Sequence, residues 1–142
     1  MDVTKYRELN FPFANRSRSI ESVEFELHND SITDSEVLRA IIHLTDTESP
    51  RETLPTIRDY EKINNQDAWL DLCQFTSKGN ENAALLNFLN GMEGVLKETT
   101  ARSYILQFEN EEELEDPAVQ DYYEMIVVHA DKAYKLILTK EW

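Results

Sequence analysis

The stretch YEMIVVHADKAYKLILT, residues 123–139, constrains the fold more than any other part of the chain. Two apolar runs flank a short polar break at His129 to Lys132, the pattern of an antiparallel hairpin. In the second arm Tyr134, Leu136 and Leu138 recur at every second position and so share one face. A chain that ends this way must build its core against a sheet. RSYILQF (102–108) alternates Tyr104, Leu106 and Phe108 against Ser103, Ile105 and Gln107, which predicts another strand. SVEFELH (22–28) predicts a half-buried strand, with Val23, Phe25 and Leu27 inward and Glu24, Glu26 and His28 in solvent.

The middle of the chain switches to a helical period. TDSEVLRAIIHL opens with a capping box, Thr33 with Glu36, and predicts a helix over roughly 34–45. Pro50 and Pro55 then break the chain, and PTIRDYEKI (55–63) reads as a short helix with Pro55 in its first turn. NNQDAWLDLCQFTSKG (64–79) places Trp69, Leu72, Cys73 and Thr76 on one stripe. NENAALLNFLNGMEGVLKE (80–98) repeats Leu85, Phe88, Leu89, Met92 and Leu96. Trp69 and Phe88 are assigned to the core. Gly91 and Gly94 cost a helix interior about 1 kcal/mol each relative to Ala. They mark either a close helix–sheet contact or an early helix end. Ahead of the first strand, FPFANRSRS (11–19) reads as an extended segment that pins Phe11 and Phe13 into the body, with Arg16 and Arg18 on a solvated turn.

The expected fold is therefore α+β, a single acidic domain over 1–142. About four mainly antiparallel strands (around 21–28, 103–109, 123–129 and 133–139) take three or four helices between the first strand and the rest. At 41% apolar residues, the chain is rich enough in apolar side chains to bury such a core.

Charge narrows the function classes. Twenty-eight Asp and Glu against fourteen Lys and Arg give a net charge of −14. Phosphate-rich partners require concentrated Lys and Arg, so nucleic acid and anionic membrane are excluded as expected partners and a basic protein is favoured. The start of the chain shows no signal-peptide pattern, and no apolar run approaches the ~18–20 residues of a membrane span. The single Cys73 cannot form an internal disulfide and implies a reducing compartment. The expected location is the cytoplasm, where the Asn15 and Asn29 glycosylation triplets are idle.

The acid is concentrated at ENEEELED, residues 109–116, six carboxylates in eight positions, and no Lys or Arg occurs between Arg102 and Lys132. Glu109, Glu111, Glu112, Glu113, Glu115 and Asp116, extended by Asp121, form the candidate partner-binding surface. A calcium loop alternates its oxygen ligands and turns on a glycine. This stretch does neither, so no metal is expected. Nor is any cofactor expected, because Gly79, Gly91 and Gly94 make no phosphate cradle. His28, His43 and His129 are isolated from one another and from Cys73, which removes a zinc motif. Cys73, among apolar residues and acids, lacks a group that would generate a thiolate and is read as structural. Glu24 and Glu26 share a face as any alternating strand pair does.

These features lead to a non-enzymatic binding protein that neutralises a basic partner. The partner class is a nuclease-type toxin whose cationic cleft an acidic immunity protein or antitoxin would block. A chaperone or adaptor for a secreted protein is the alternative, and an enzyme assembled from distant acids and His ranks behind both.

Overall fold

The computed structural model describes residues 2–12, 18–45, 60–76, 83–106 and 119–141. In chain order the elements are β1 (Val3–Pro12), β2 (Arg18–Leu27), α1 (Asp34–Leu44), β3 (Tyr60–Ile63), α2 (Asn65–Thr76), α3 (Ala83–Leu96), β4 (Arg102–Leu106), β5 (Val119–His129) and β6 (Lys132–Glu141). One six-stranded sheet runs in the order β1-β2-β6-β5-β4-β3, with every neighbouring pair antiparallel. The class is α+β, and the described residues form six strands instead of about four.

Helices cover both faces of the sheet. On one face α2 and α3 bring Ala68, Leu72, Leu85, Leu89, Met92 and Leu96 onto Met125, Val127, Leu136 and Leu138. On the other, Val37, Leu38 and Ile41 of α1 pack onto Val23, Phe25, Ile126, Val128 and Ile137. The central strands are consequently buried on both sides, as the unbroken burial of Met125 to Val128 shows. Burial of this kind contributes about 25 cal/mol per Å² of apolar surface, and it makes β5 and β6 the fixed frame of the molecule.

Two extra strands account for the count. β1 lies mostly ahead of the segment read as extended, overlapping it only at Phe11 and Pro12, and its apolar residues Val3, Leu9 and Phe11 do not keep a strict period of two with respect to the two faces. The cause is a bulge: Lys5 lies opposite Phe25 and Arg7 opposite Glu24, leaving Tyr6 as the extra residue. A bulge inverts which face the following side chains meet. Val3 joins the core under α1, while Leu9 and Phe11 join the core under α2 and α3. Phe11 stacks on Phe88 with ring centroids 5.0 Å apart. Phe13 and Arg16 lie outside the described residues.

The second extra strand is β3. Tyr60–Ile63, read as part of a helix, pairs with β4 from Tyr60 opposite Leu106 to Ile63 opposite Ser103. Tyr60 is β-favouring and buried, and its cross-strand partners outweigh the weak helical spacing of four residues. This strand also separates α1 from α2, so the helices do not form one insertion.

Local signals hold elsewhere. The Thr33 hydroxyl accepts from Glu36 N–H at 3.2 Å and the Glu36 carboxylate accepts from Thr33 N–H at 3.4 Å, the expected capping box. The hairpin turns over Ala130 and Asp131, with His129 opposite Lys132. Ala130 has φ of 54°, the left-handed conformation that a two-residue turn demands. Trp69 and Phe88 are half-buried and pack against the core without lying inside it. Neither helical glycine marks a close contact or an end. A Cβ at Gly91 or Gly94 would meet nothing within 4 Å, and α3 continues to Leu96.

Candidate functional site

The residues Glu109 to Asp116 lie outside the described residues, between the end of β4 at Leu106 and the start of β5 at Val119. Their attachments are defined. β4 and β5 are neighbours, and Ile105 pairs with Met125. Val119 to Glu124 extend beyond that pairing, held by β6 from Glu141 to Ile137. The register sets Asp121 opposite Lys140, next to a second bulge at the start of β5. The acidic segment thus connects β4 to the start of β5.

Other chemistry-bearing groups assemble where the sequence did not point. On the face covered by α2 and α3, Glu24 is only 4% exposed, contrary to its expected solvated position. The strand alternation was read correctly, but a second core covers the face it assigned to water. Arg7 Nε donates to Glu24 Oε2 at 2.6 Å, and Lys132 Nζ stands 3.3 Å from Glu24 Oε1. The β1 bulge is what turns Arg7 onto this face. Glu24 in turn pushes the Lys132 ammonium pKa up, and burial, followed by the Glu24 charge, pushes up the phenol of Tyr134.

On the opposite face a second ion pair is fully enclosed. Lys135 Nζ lies 2.9 Å from Glu124 Oε1, with the two residues 1% and 0% exposed. Tyr60 donates its hydroxyl to Glu124 at 2.6 Å, and Lys135 donates to Thr45 Oγ1 at 2.7 Å. The Thr45 hydroxyl donates to the Ile41 carbonyl at 2.6 Å, so the chain of bonds ends on the last turn of α1. Sequence reasoning missed this pair, although a signal existed. A two-residue turn at Ala130–Asp131 puts Glu124 opposite Ile137 and Lys135 opposite Ile126, which makes the two charges diagonal neighbours on one face.

A third group anchors the start of α1. Arg102 grips Asp34 through two bonds, Nε to Oδ2 at 2.9 Å and Nη2 to Oδ1 at 2.8 Å, and Tyr104 donates to Oδ2 at 2.6 Å. The Arg102 hydrogen bond holds the Asp34 carboxyl below its usual range. Burial, reinforced by Asp34, pushes the Tyr104 phenol up to about 12. Tyr123 likewise donates to Asp71 at 2.9 Å, and burial raises its pKa.

The isolated candidates stay apart. His28 hydrogen-bonds Thr4 at 2.8 Å, His43 sits exposed on the last turn of α1, and His129 closes the hairpin. The Cys73 thiol is pushed up by burial and by Glu93, the direction opposite to activation. Among the described residues, no group of three or more His, Cys, Asp or Glu is placed to hold a metal ion. No described helix is long and apolar enough to cross a membrane.

No family model, curated protein or solved structure matches the chain.

Proposed function

We propose that this chain is a non-enzymatic acidic binding protein that neutralises a basic partner, as an immunity protein or antitoxin blocks the cationic cleft of a nuclease-type toxin. The observation that carries the reading is the disposition of charge. The carboxylates that the fold buries are paired, Glu24 with Arg7 and Lys132 and Glu124 with Lys135, and the half-buried Asp34 and Asp71 are held by Arg102 and Tyr123. The excess behind the net charge of −14 therefore rests on the remaining acids. Their densest run, Glu109 to Asp116 and on to Asp121, joins two adjacent strands of a rigid sheet.

A toxin that cuts nucleic acid needs a basic cleft. An acidic surface can be steered into it at up to ~10⁸–10⁹ M⁻¹s⁻¹ at low salt. Exposed ion pairs give only about 0–1 kcal/mol each, so the charge acts collectively. The test is affinity capture with the intact chain, followed by association kinetics of a variant with Glu111, Glu112, Glu113 and Glu115 all changed to Gln. A small basic protein should be captured. Its association with the variant should slow several-fold at low salt, with the difference shrinking as salt is added. Wild-type rates for the variant would remove the stretch from the interface. Capture of a large secretion substrate instead would favour a chaperone.

A further inference from the structure

The face that carries Glu24 also holds a cleft of about 230 Å³ between the sheet and α3. Its two sides differ in chemistry. On the sheet side Arg7, Ser22, Glu24, Lys132 and Tyr134 supply polar groups from three adjacent strands, with Leu9 opposite Ser22. On the helix side Phe88, Met92 and Val95 of α3 supply an apolar wall.

The polar side has an unusual balance for this molecule. Arg7 and Lys132 each give one bond to the same carboxylate, and their side chains stay 57% and 45% exposed. Two cations face one buried carboxylate here, in a chain whose net charge is −14, with the Asp131 charge also acting on Lys132 and Glu26 opposite it in register. Arg7 contacts Glu24 through Nε, and its guanidinium carbon lies 5.9 Å from the centroid of the Tyr6 ring. Glu24, nearly withdrawn from water, fixes both cations at the rim. Tyr134, with its phenol pKa raised, remains a proton donor beside them.

α3 contributes a second observation. Gly91 lines the cleft, and a Cβ built there would meet nothing within 4 Å. Packing against the sheet therefore does not require glycine at this position, although glycine weakens a helix interior. What the missing side chain leaves is open space at the cleft.

We propose that this cleft binds a small organic monocarboxylate with an apolar body, its carboxylate held by Arg7 and Lys132 and its body laid against Leu9, Phe88 and Met92. A carboxylate is the group that two half-exposed cations on a shared anchor can take up, and the volume lies below the ~300–1,000 Å³ of drug-sized sites, which limits the ligand to a single ring or a short branched chain. None of the described residues that line the cleft belongs to the acidic stretch, and the test does not depend on that stretch having a partner.

The experiment is an NMR titration of the intact chain with 3-phenylpropionate, with the uncharged 3-phenylpropanamide as control. Saturable shifts are expected at the amides of Leu9, Phe88, Gly91 and Met92, with the acid bound roughly tenfold or more tightly than the amide, as a charge-assisted bond implies. Gly91→Leu should fill the opening and weaken binding at least ~10-fold while the thermal midpoint holds or rises. Gly94→Ala, off the cleft, should leave binding unchanged. Lys132→Gln should abolish the preference for acid over amide, and Lys132→Arg should keep it. Equal binding of acid and amide, absence of saturable shifts at these amides, or undiminished binding by Gly91→Leu would each overturn the proposal.

Discussion

Lys135 Nζ stands 2.9 Å from Glu124 Oε1 with both side chains out of solvent, and Tyr60 and Thr45 hydrogen-bond the pair. Taking two charges out of water is costly, and their attraction offsets that cost only while both are present. Glu124→Leu or Lys135→Met alone should destabilise the fold by about 3–5 kcal/mol. The double variant Glu124→Leu with Lys135→Met should recover most of that loss. Denaturant melts of the four proteins check this. Losses that simply add would show that the two charges do not depend on each other.

Ala130 carries the left-handed backbone of the hairpin turn with φ of 54°. A Cβ in that conformation costs about 1–2 kcal/mol. Ala130→Gly should therefore raise stability by up to about 1 kcal/mol, after the greater freedom of glycine in the unfolded chain is subtracted. A fall in the denaturation midpoint would mean that the methyl group makes a contact worth more than the strain.

The Arg102 hydrogen bond lowers the Asp34 pKa from 3.8. A carboxyl with a depressed folded-state pKa adds stability that is fully present above its unfolded value and disappears as pH falls through the folded one. Its position in the first turn of α1 acts in the same direction. Asp34→Asn should reduce stability at neutral pH, and the gap from wild type should close below about pH 4. Thermal melts across the acid range provide the measurement, and a gap that persists at the lowest pH would assign the loss to hydrogen bonding alone.

Glu21 shows the opposite sign. Burial, then the charge of Glu8, raises its pKa from 4.5. Protonation favours the folded state, so stability from this group is complete below its unfolded pKa and falls as pH rises through the folded one. Glu21→Gln should raise the thermal midpoint at neutral pH, and the gain should vanish in acid. A variant less stable than wild type at pH 7 would show that the Glu21 charge is satisfied by Lys135, the attraction that opposes the shift.

Local rules determined part of this protein from its sequence. Thr33 and Glu36 cap α1 because the capping box involves only neighbouring residues. The short polar break at 129–132 set the hairpin, and with it the pairing of β5 and β6. The helical stripes of α2 and α3 were legible for the same reason, as Leu72, Leu85, Leu89 and Met92 lie at the positions their spacing assigns.

Alternation along a strand shows two faces but not what covers each of them. Glu24 and Lys135 occupy alternate positions that locally resemble solvent-facing ones, and both are buried because α3 packs over one face of the sheet and α1 over the other. β1 was hidden by its bulge at Tyr6, which breaks the period of two, and the bulge exists only in register with β2. The cleft beside Arg7 and Lys132 draws residues from β1, β2, β6 and α3, which lie together only after the sheet has ordered its strands 1-2-6. Sequence alone determined the hydrogen bonds and periodicities that close over a few residues. The tertiary structure decided every feature that depended on which distant segment came to lie over a polar side chain, because burial is a property of that covering and not of the local pattern.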